Sequence, residues 1–252
     1  MSADQPRWDW PDGVARHVLA EVDSTNSEAA RIGPGLTAPA WILAHRQTAG
    51  RGRRGRAWVD PVGNFAATLV MRVPGGPARA ALRSFAAALA LDEALVGLLP
   101  PAARLALKWP NDVLLNGGKV SGILIEGLAG GQQIAIGIGV NLVHAPDPAD
   151  RDPRAPRPVS VAGETGITLS PDELLDRLAP AFARWEAQLL AYGFAPLRAA
   201  FLARVTRLGQ PVVARATDRT IEGTFETIDA EGAIVLVTPA GRVSMPAADL
   251  FF

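Results

Sequence analysis

Apolar positions recur along this chain in two rhythms. RHVLAEV (16–22) alternates in the manner of a strand. DSTNSEAARIG follows, with Ser24 or Thr25 as a helix cap, Glu28 in the first turn and Gly33 at the end. AWILAHRQ (40–47) and NFAATLVMRV (64–73) are apolar runs of strand length, the second closed by PGGP. ARAALRSFAAALALDEALVGLL (78–99) is rich in Ala and Leu without an internal proline, which predicts one long buried helix.

The stretch 105–142, LALKWPNDVLLNGGKVSGILIEGLAGGQQIAIGIGVNL, reads as consecutive strands, with Asn116-Gly117-Gly118 as a hairpin turn. Residues 144–160 are proline-rich and predict a mobile loop with no function assigned. A second long helix spans 170–193, with Ser170 as cap, Pro171 at its first position and Gly193 at its end. Pro180 is expected to kink or interrupt it. A short helix is expected over 196–204. From Gly209 the rhythm changes to short alternating strands between glycine-containing turns, the pattern of a small β-barrel of 45 or so residues. The expected fold is α+β: a mixed sheet flanked by helices over 1–207, and a small barrel over 208–252.

Charge changes this picture locally. Lys+Arg and Asp+Glu both number 25, so nothing draws the whole molecule to a polyanion, and any anion must be met by a local cluster. There is no cysteine, which excludes disulfides, thiolate metal sites and cysteine nucleophiles. His17, His45 and His144 lack ligand spacing. The N-terminus has no signal-peptide core and no window is long and apolar enough to span a membrane, so a soluble cytoplasmic protein is expected.

The local cluster is RQTAGRGRRGRAW (46–58), with five arginines and three glycines between Arg46 and Arg56 and no acid. Glycines let the backbone approach a ligand, and guanidinium forks suit phosphate or carboxylate. The like charges repel, so an anion should order the segment, and Trp58 is placed to fold over it. A solvated basic loop and an arginine-rich RNA-binding segment are the alternatives, although few aromatics lie nearby to stack on bases. Only two of the 25 basic residues are lysines, Lys108 and Lys119. A hairpin through Asn116-Gly117 brings Lys119 beside Asp112 and Asn111, a plausible set for phosphate chemistry. DSTN is ordinary capping chemistry, yet its hydroxyls also offer small neutral hydrogen-bonders. GIGVNL (137–142) has the wrong spacing for a dinucleotide fingerprint. Its glycines permit close backbone approach, with Asn141 as a base-edge contact.

In this order DSTNSEA, RQTAGRGRRGRAW, KWPNDVLLNGGKVSGILIE and GIGVNL resemble biotin protein ligases, in the form lacking an N-terminal DNA-binding domain. The resemblance implies a catalytic domain related to class II synthetases and an SH3-like C-terminal domain. It also implies a two-step reaction: biotin and ATP give biotinyl-5′-AMP, and biotin then passes to a lysine of a biotin carboxyl carrier domain. ATP with Mg²⁺ and biotin are the implied substrates, with no prosthetic group. On this likeness Lys119, Arg51 and Asp112 are catalytic. Ser24, Thr25, Asn26, Gln47, Gly50, Arg51, Gly52, Lys119, Gly122 and Ile123 bind biotin. Arg53, Arg54, Arg56, Trp58, Asn111, Lys119 and Asn141 meet the nucleotide, and Asp112 is the candidate magnesium contact. The implied partners are the carrier protein and a weak homodimer, without DNA or membrane. Only 22 residues precede DSTN, so no repressor role is expected. A lipoyl or octanoyl ligase shares the chemistry, but would need an apolar acyl tunnel where Ser24, Thr25 and Gln47 are polar.

Overall fold

The structure is a computed structural model that describes residues 9–59, 61–128, 130–147 and 155–252. Among these, one sheet is built from β1 (Ala15–Leu19), β2 (Ala40–Ala44), β3 (Phe65–Arg72), β4 (Leu105–Lys108), β5 (Asp112–Leu115), β6 (Gly118–Gly127) and β7 (Gln133–Val140). The strand order is β1-β2-β3-β7-β6-β5-β4. β1 and β2 run parallel and all other neighbours antiparallel, so the sheet is mixed.

Both faces of this sheet are covered, which is why its central strands are continuous apolar runs. Along β2, Trp41 and Leu43 join the main core while Ile42 joins a smaller cluster with Val70, Ala135 and Ala29. Ala29 belongs to α1 (Thr25–Ile32), which therefore lies on the opposite face from the main core. The main core is completed by α3 (Arg83–Val96), α5 (Pro171–Tyr192) and α6 (Phe194–Leu202). There Phe85 of α3 packs edge-on against Phe194 and Phe201 of α6.

Three expectations need correction. The helix of 78–99 is two helices, α2 (Gly76–Ala81) and α3, which meet at Leu82. Alternating Ala and Leu carry no mark of that break. Pro180 does not interrupt α5. Its missing N–H forfeits one bond in a helix of 22 residues, while the ring is itself buried on the packed side. The capping box at Ser170 and Glu173 is complete. The strand of 16–22 stops at Leu19, beyond which only a single bridge, Val22 to Gln47, continues the pairing.

The middle of the proline-rich loop, 148–154, lies outside the described residues. Its C-terminal end runs beside β6, where the Lys119 amide donates to the Arg157 carbonyl at 2.7 Å and the Val159 amide to the Lys119 carbonyl at 2.9 Å. A short helix, α4 (Val161–Thr165), follows.

The second, antiparallel sheet comprises β8 (Pro211–Arg215), β9 (Thr220–Ile228), β10 (Ile234–Thr238), β11 (Gly241–Met245) and β12 (Asp249–Phe251) in the order β11-β10-β9-β8-β12. It falls in the span expected for the small β-barrel and is consistent with an SH3-like unit. It touches the larger sheet at the start of the KWPND segment, where the buried Trp109 indole donates to the Gly232 carbonyl at 3.0 Å.

Candidate active site

A cleft of about 400 Å³ opens between the large sheet, the arginine-glycine segment and β12. Sheet parity decides what faces it. On β6, Gly122, Leu124 and Glu126 alternate with Ile123, whose side chain belongs to the main core. On β7, Gly137 and Gly139 leave room that neighbours fill. A Cβ on Gly139 would lie 2.5 Å from Trp58 Cε2, and one on Gly137 would lie 2.3 Å from Asn26 Oδ1. These glycines are what allow an indole and an amide to lie on the strand.

One end of the cleft is neutral and densely hydrogen-bonded. Ser24, Thr25 and Asn26 are buried at the start of α1. Gln47 Oε1 accepts from the Thr25 amide (2.8 Å) and hydroxyl (3.1 Å). The buried Thr68 hydroxyl sits 2.8 Å from Thr25 Oγ1 and donates to Asn26 Oδ1 at 2.6 Å. Asn26 in turn donates to Glu126 Oε2 (2.7 Å), which also receives Arg51 (3.1 Å).

The other end is ionic and centres on Asp112. Its Oδ1 lies 2.7 Å from Lys119 Nζ and its Oδ2 lies 3.3 Å from Lys108 Nζ. The chain's only two lysines thus share one carboxylate. Burial pushes the Asp112 carboxyl up, but the Lys119 and Lys108 ammonium groups outweigh it and hold the group below the ordinary carboxylate range. Burial pushes Lys108 down, against the pull of Asp112. Asn111 accepts from Arg53 at 3.1 Å and donates to the Ile123 carbonyl at 2.6 Å, which ties the KWPND turn to β6.

The arginine-glycine segment is folded, with a short 3₁₀ turn at Arg53–Gly55 and a bridge between Arg51 and Ala57. Its repulsion is met by the protein's own acids. Arg54 (2.8 Å), Arg56 (2.5 Å) and Arg53 (3.7 Å) converge on Asp249 of β12. Arg54 takes a left-handed φ of 57° while bonded to Asp249 and to the Arg215 carbonyl. Burial pushes the Arg53 guanidinium down, with Asp249 and Asp112 acting in the opposite direction.

Most of the sequence-predicted residues line this one cleft: Ser24, Thr25, Asn26, Gln47, Arg51, Gly52, Arg53, Arg56, Trp58, Asn111, Asp112, Lys119, Gly122, Ile123 and Asn141. Gly50 and Arg54 do not. Gly50 pairs with the Trp58 backbone, whose carbonyl a Cβ would meet at 2.5 Å, and Arg54 turns toward Asp249. Trp58 Nε1 and Asn141 Oδ1 are buried without a hydrogen-bond partner among the described residues, a donor and an acceptor on residues of the cleft wall. The Asn141 amide donates instead to the Val159 carbonyl at 3.0 Å. Sequence reasoning missed Lys108 as a site residue, although its pairing with Lys119 was the available signal. It also missed Thr68, Glu126 and Asp249, which no local motif marks. No group of three or more His, Asp or Glu side chains suited to a metal occurs among the described residues. Both Asp112 oxygens face ammonium groups, so this carboxylate does not fit a resident magnesium.

The profile of the Biotin/lipoate A/B protein ligase family matches residues 20–141, and that of the Biotin protein ligase C terminal domain matches 208–252. A Biotin–[acetyl-CoA-carboxylase] ligase of Paracoccus denitrificans is 59% identical over 238 residues, covering 93% of this chain and 99% of that protein. The chain belongs to the biotin protein ligase family. The Bifunctional ligase/repressor BirA of Escherichia coli is a more distant member, 33% identical over 89% of this chain and 70% of its own length. The fold matches the biotin protein ligase of Aquifex aeolicus solved with biotin and ATP, with a TM-score of 0.78 at 22% identity over 94% of this chain and 97% of that one. No helix among the described residues is long and apolar enough to cross a membrane.

Proposed function

We propose that the protein activates biotin with ATP and transfers it to a lysine of a biotin carboxyl carrier protein, as the name of its Paracoccus relative describes. The observation that carries the assignment of roles is one cleft holding both a neutral hydroxyl-and-amide end and a paired-lysine end. The neutral end suits a ureido ring, which offers one acceptor and two donors and no charge. Ser24, Thr25, Asn26 and Gln47 hold that ring, and Gly52, Gly122 and Ile123 bring backbone close to the valeryl chain.

Lys119 binds both the biotin carboxylate and the α-phosphate, two anions that repel until an ammonium lies between them. A carboxylate oxygen attacks the α-phosphorus, the bond to the β-phosphate oxygen breaks, and pyrophosphate leaves. The carrier's amine then attacks the acyl carbon, loses a proton and expels AMP. No protein nucleophile is required. Arg53, Arg56 and Arg51 offset phosphate charge, Trp58 walls the adenylate, and the segment shields the mixed anhydride from water. Magnesium enters with ATP. The catalytic unit is residues 1–207 and the SH3-like unit 208–252, a division supported by two sheets that share no strand.

Mass spectrometry of the product from purified protein, biotin and MgATP tests the reading. Biotinyl-AMP retained on the protein is expected. Its absence, or equal use of lipoate, would overturn it.

A further inference from the structure

Lys119 cannot serve two anions of a substrate while it remains committed to Asp112. Asp112 is only 7% exposed, and stripping a carboxylate of its partner in such a place is strongly unfavourable. Something must keep that charge satisfied when Lys119 leaves. The two lysines differ in how they are held. Lys108 and Asp112 are register partners across the β4–β5 hairpin, so the backbone itself fixes them face to face. Lys119 pairs in register with Leu114, beyond a shift between Val113 and Leu114, and reaches Asp112 diagonally. The Lys108 side chain is 7% exposed and that of Lys119 is 34% exposed. One partner is locked in the wall and the other stands in the cleft.

We propose that Lys108 is a positioning residue for adenylate formation: as the fixed counter-ion of Asp112, it lets Lys119 exchange that carboxylate for the substrate anions. The inference rests on the reading that Lys119 engages those anions.

The test is a double-mutant cycle on the single-turnover rate of biotinyl-AMP formation at saturating biotin and MgATP, with melting temperatures measured in parallel. Lys108→Met should slow the step about a hundredfold, because Lys119 stays on Asp112. In the Asp112→Asn background the same substitution should change the rate by less than about threefold, since no carboxylate remains to strand. Equal slowing in both backgrounds, or an undiminished rate in Lys108→Met, overturns the proposal while an active parent protein leaves the ligase reading standing. A parent that forms no adenylate defeats both. If Lys108→Met does not fold, Lys108→Arg carries the test. A rate within about tenfold of the parent supports a counter-ion role, and a hundredfold loss in a folded protein refutes it.

Discussion

Replacing Asp249 with Asn removes the charge on which three arginines converge, and the structure sets the size of the effect. The Asp249 side chain is 15% exposed, against 26% for Arg53, 33% for Arg54 and 66% for Arg56. A hydrogen bond to a charged group is worth roughly 1.5–3 kcal/mol when sheltered, but exposed pairs are worth at most about 1. Arg56 is largely in solvent, and Arg53 lies 3.7 Å from the carboxylate, too far for a hydrogen bond. Most of the contribution therefore comes from Arg54. An asparagine still accepts one hydrogen bond there, so the net loss is about 2 kcal/mol. That corresponds to a roughly thirtyfold increase in the open population of the segment. The segment reports its own opening, because Arg51, Arg53, Arg54 and Arg56 are trypsin sites within it. With low trypsin, cleavage tracks the open population. Asp249→Asn should be cut within 51–56 about thirty times faster than the parent, with the melting temperature of the large sheet little changed. A rate within twofold of the parent would show that β12 does not hold the segment.

Three further outcomes are expected. Lys119→Ala should abolish pyrophosphate release from biotin and MgATP without changing the circular dichroism, and Lys119→Arg should be poor because a fork is not a point charge; normal turnover in the alanine variant would defeat the assignment. Gly139→Ala drives a Cβ into the Trp58 indole and should weaken biotinyl-AMP binding by ~1–3 kcal/mol, the scale of aromatic stacking on a base, which calorimetry would read. Stability should fall as pH drops below about 4: the Asp112 carboxyl is held low by two lysines, and the Asp23 carboxyl, bonded to Arg31, is held at about 2, so each contribution is present above the unfolded value and lost as pH passes down through the folded one. Asp92, raised by burial against the pull of Arg204, acts in the opposite sense, and thermal melts that rise steadily from pH 4 to 2 would refute the balance.

What the sequence discloses of this site follows from how far apart the interacting residues lie along the chain. The Asp112–Lys119 contact was legible because it lies within one hairpin, whose turn at Asn116 and Gly117 takes the positive φ those residues favour, 50° and 84°. Residue type and a turn signal sufficed to predict the contact. Trp58 was reached only as the apolar residue placed to fold over a ligand, while the glycines at 137 and 139 announced a close approach to the strand without saying by what. Such logic failed for Asp249, which is separated from Arg54 by 195 residues and belongs to a different sheet. Nothing in RGRRGRAW states where its counter-charge resides, so repulsion alone predicted a segment that only a ligand orders. Thr68 and Glu126 were hidden for a related reason. Each is a polar position in a largely apolar strand, and only the register of β3 and β6 against β7 and the position of α1 turn them toward Asn26. The breaks in periodicity fared worst, because Leu82 and Pro180 are decided by helix packing on the main core, to which local propensity is blind. The cationic segment is therefore best understood as one partner of two competing sets of anions: carboxylates supplied by distant strands of the same chain, and phosphates supplied by the nucleotide. Its position in the resting protein measures the first set, and the Asp249→Asn cleavage rate separates that contribution from the second.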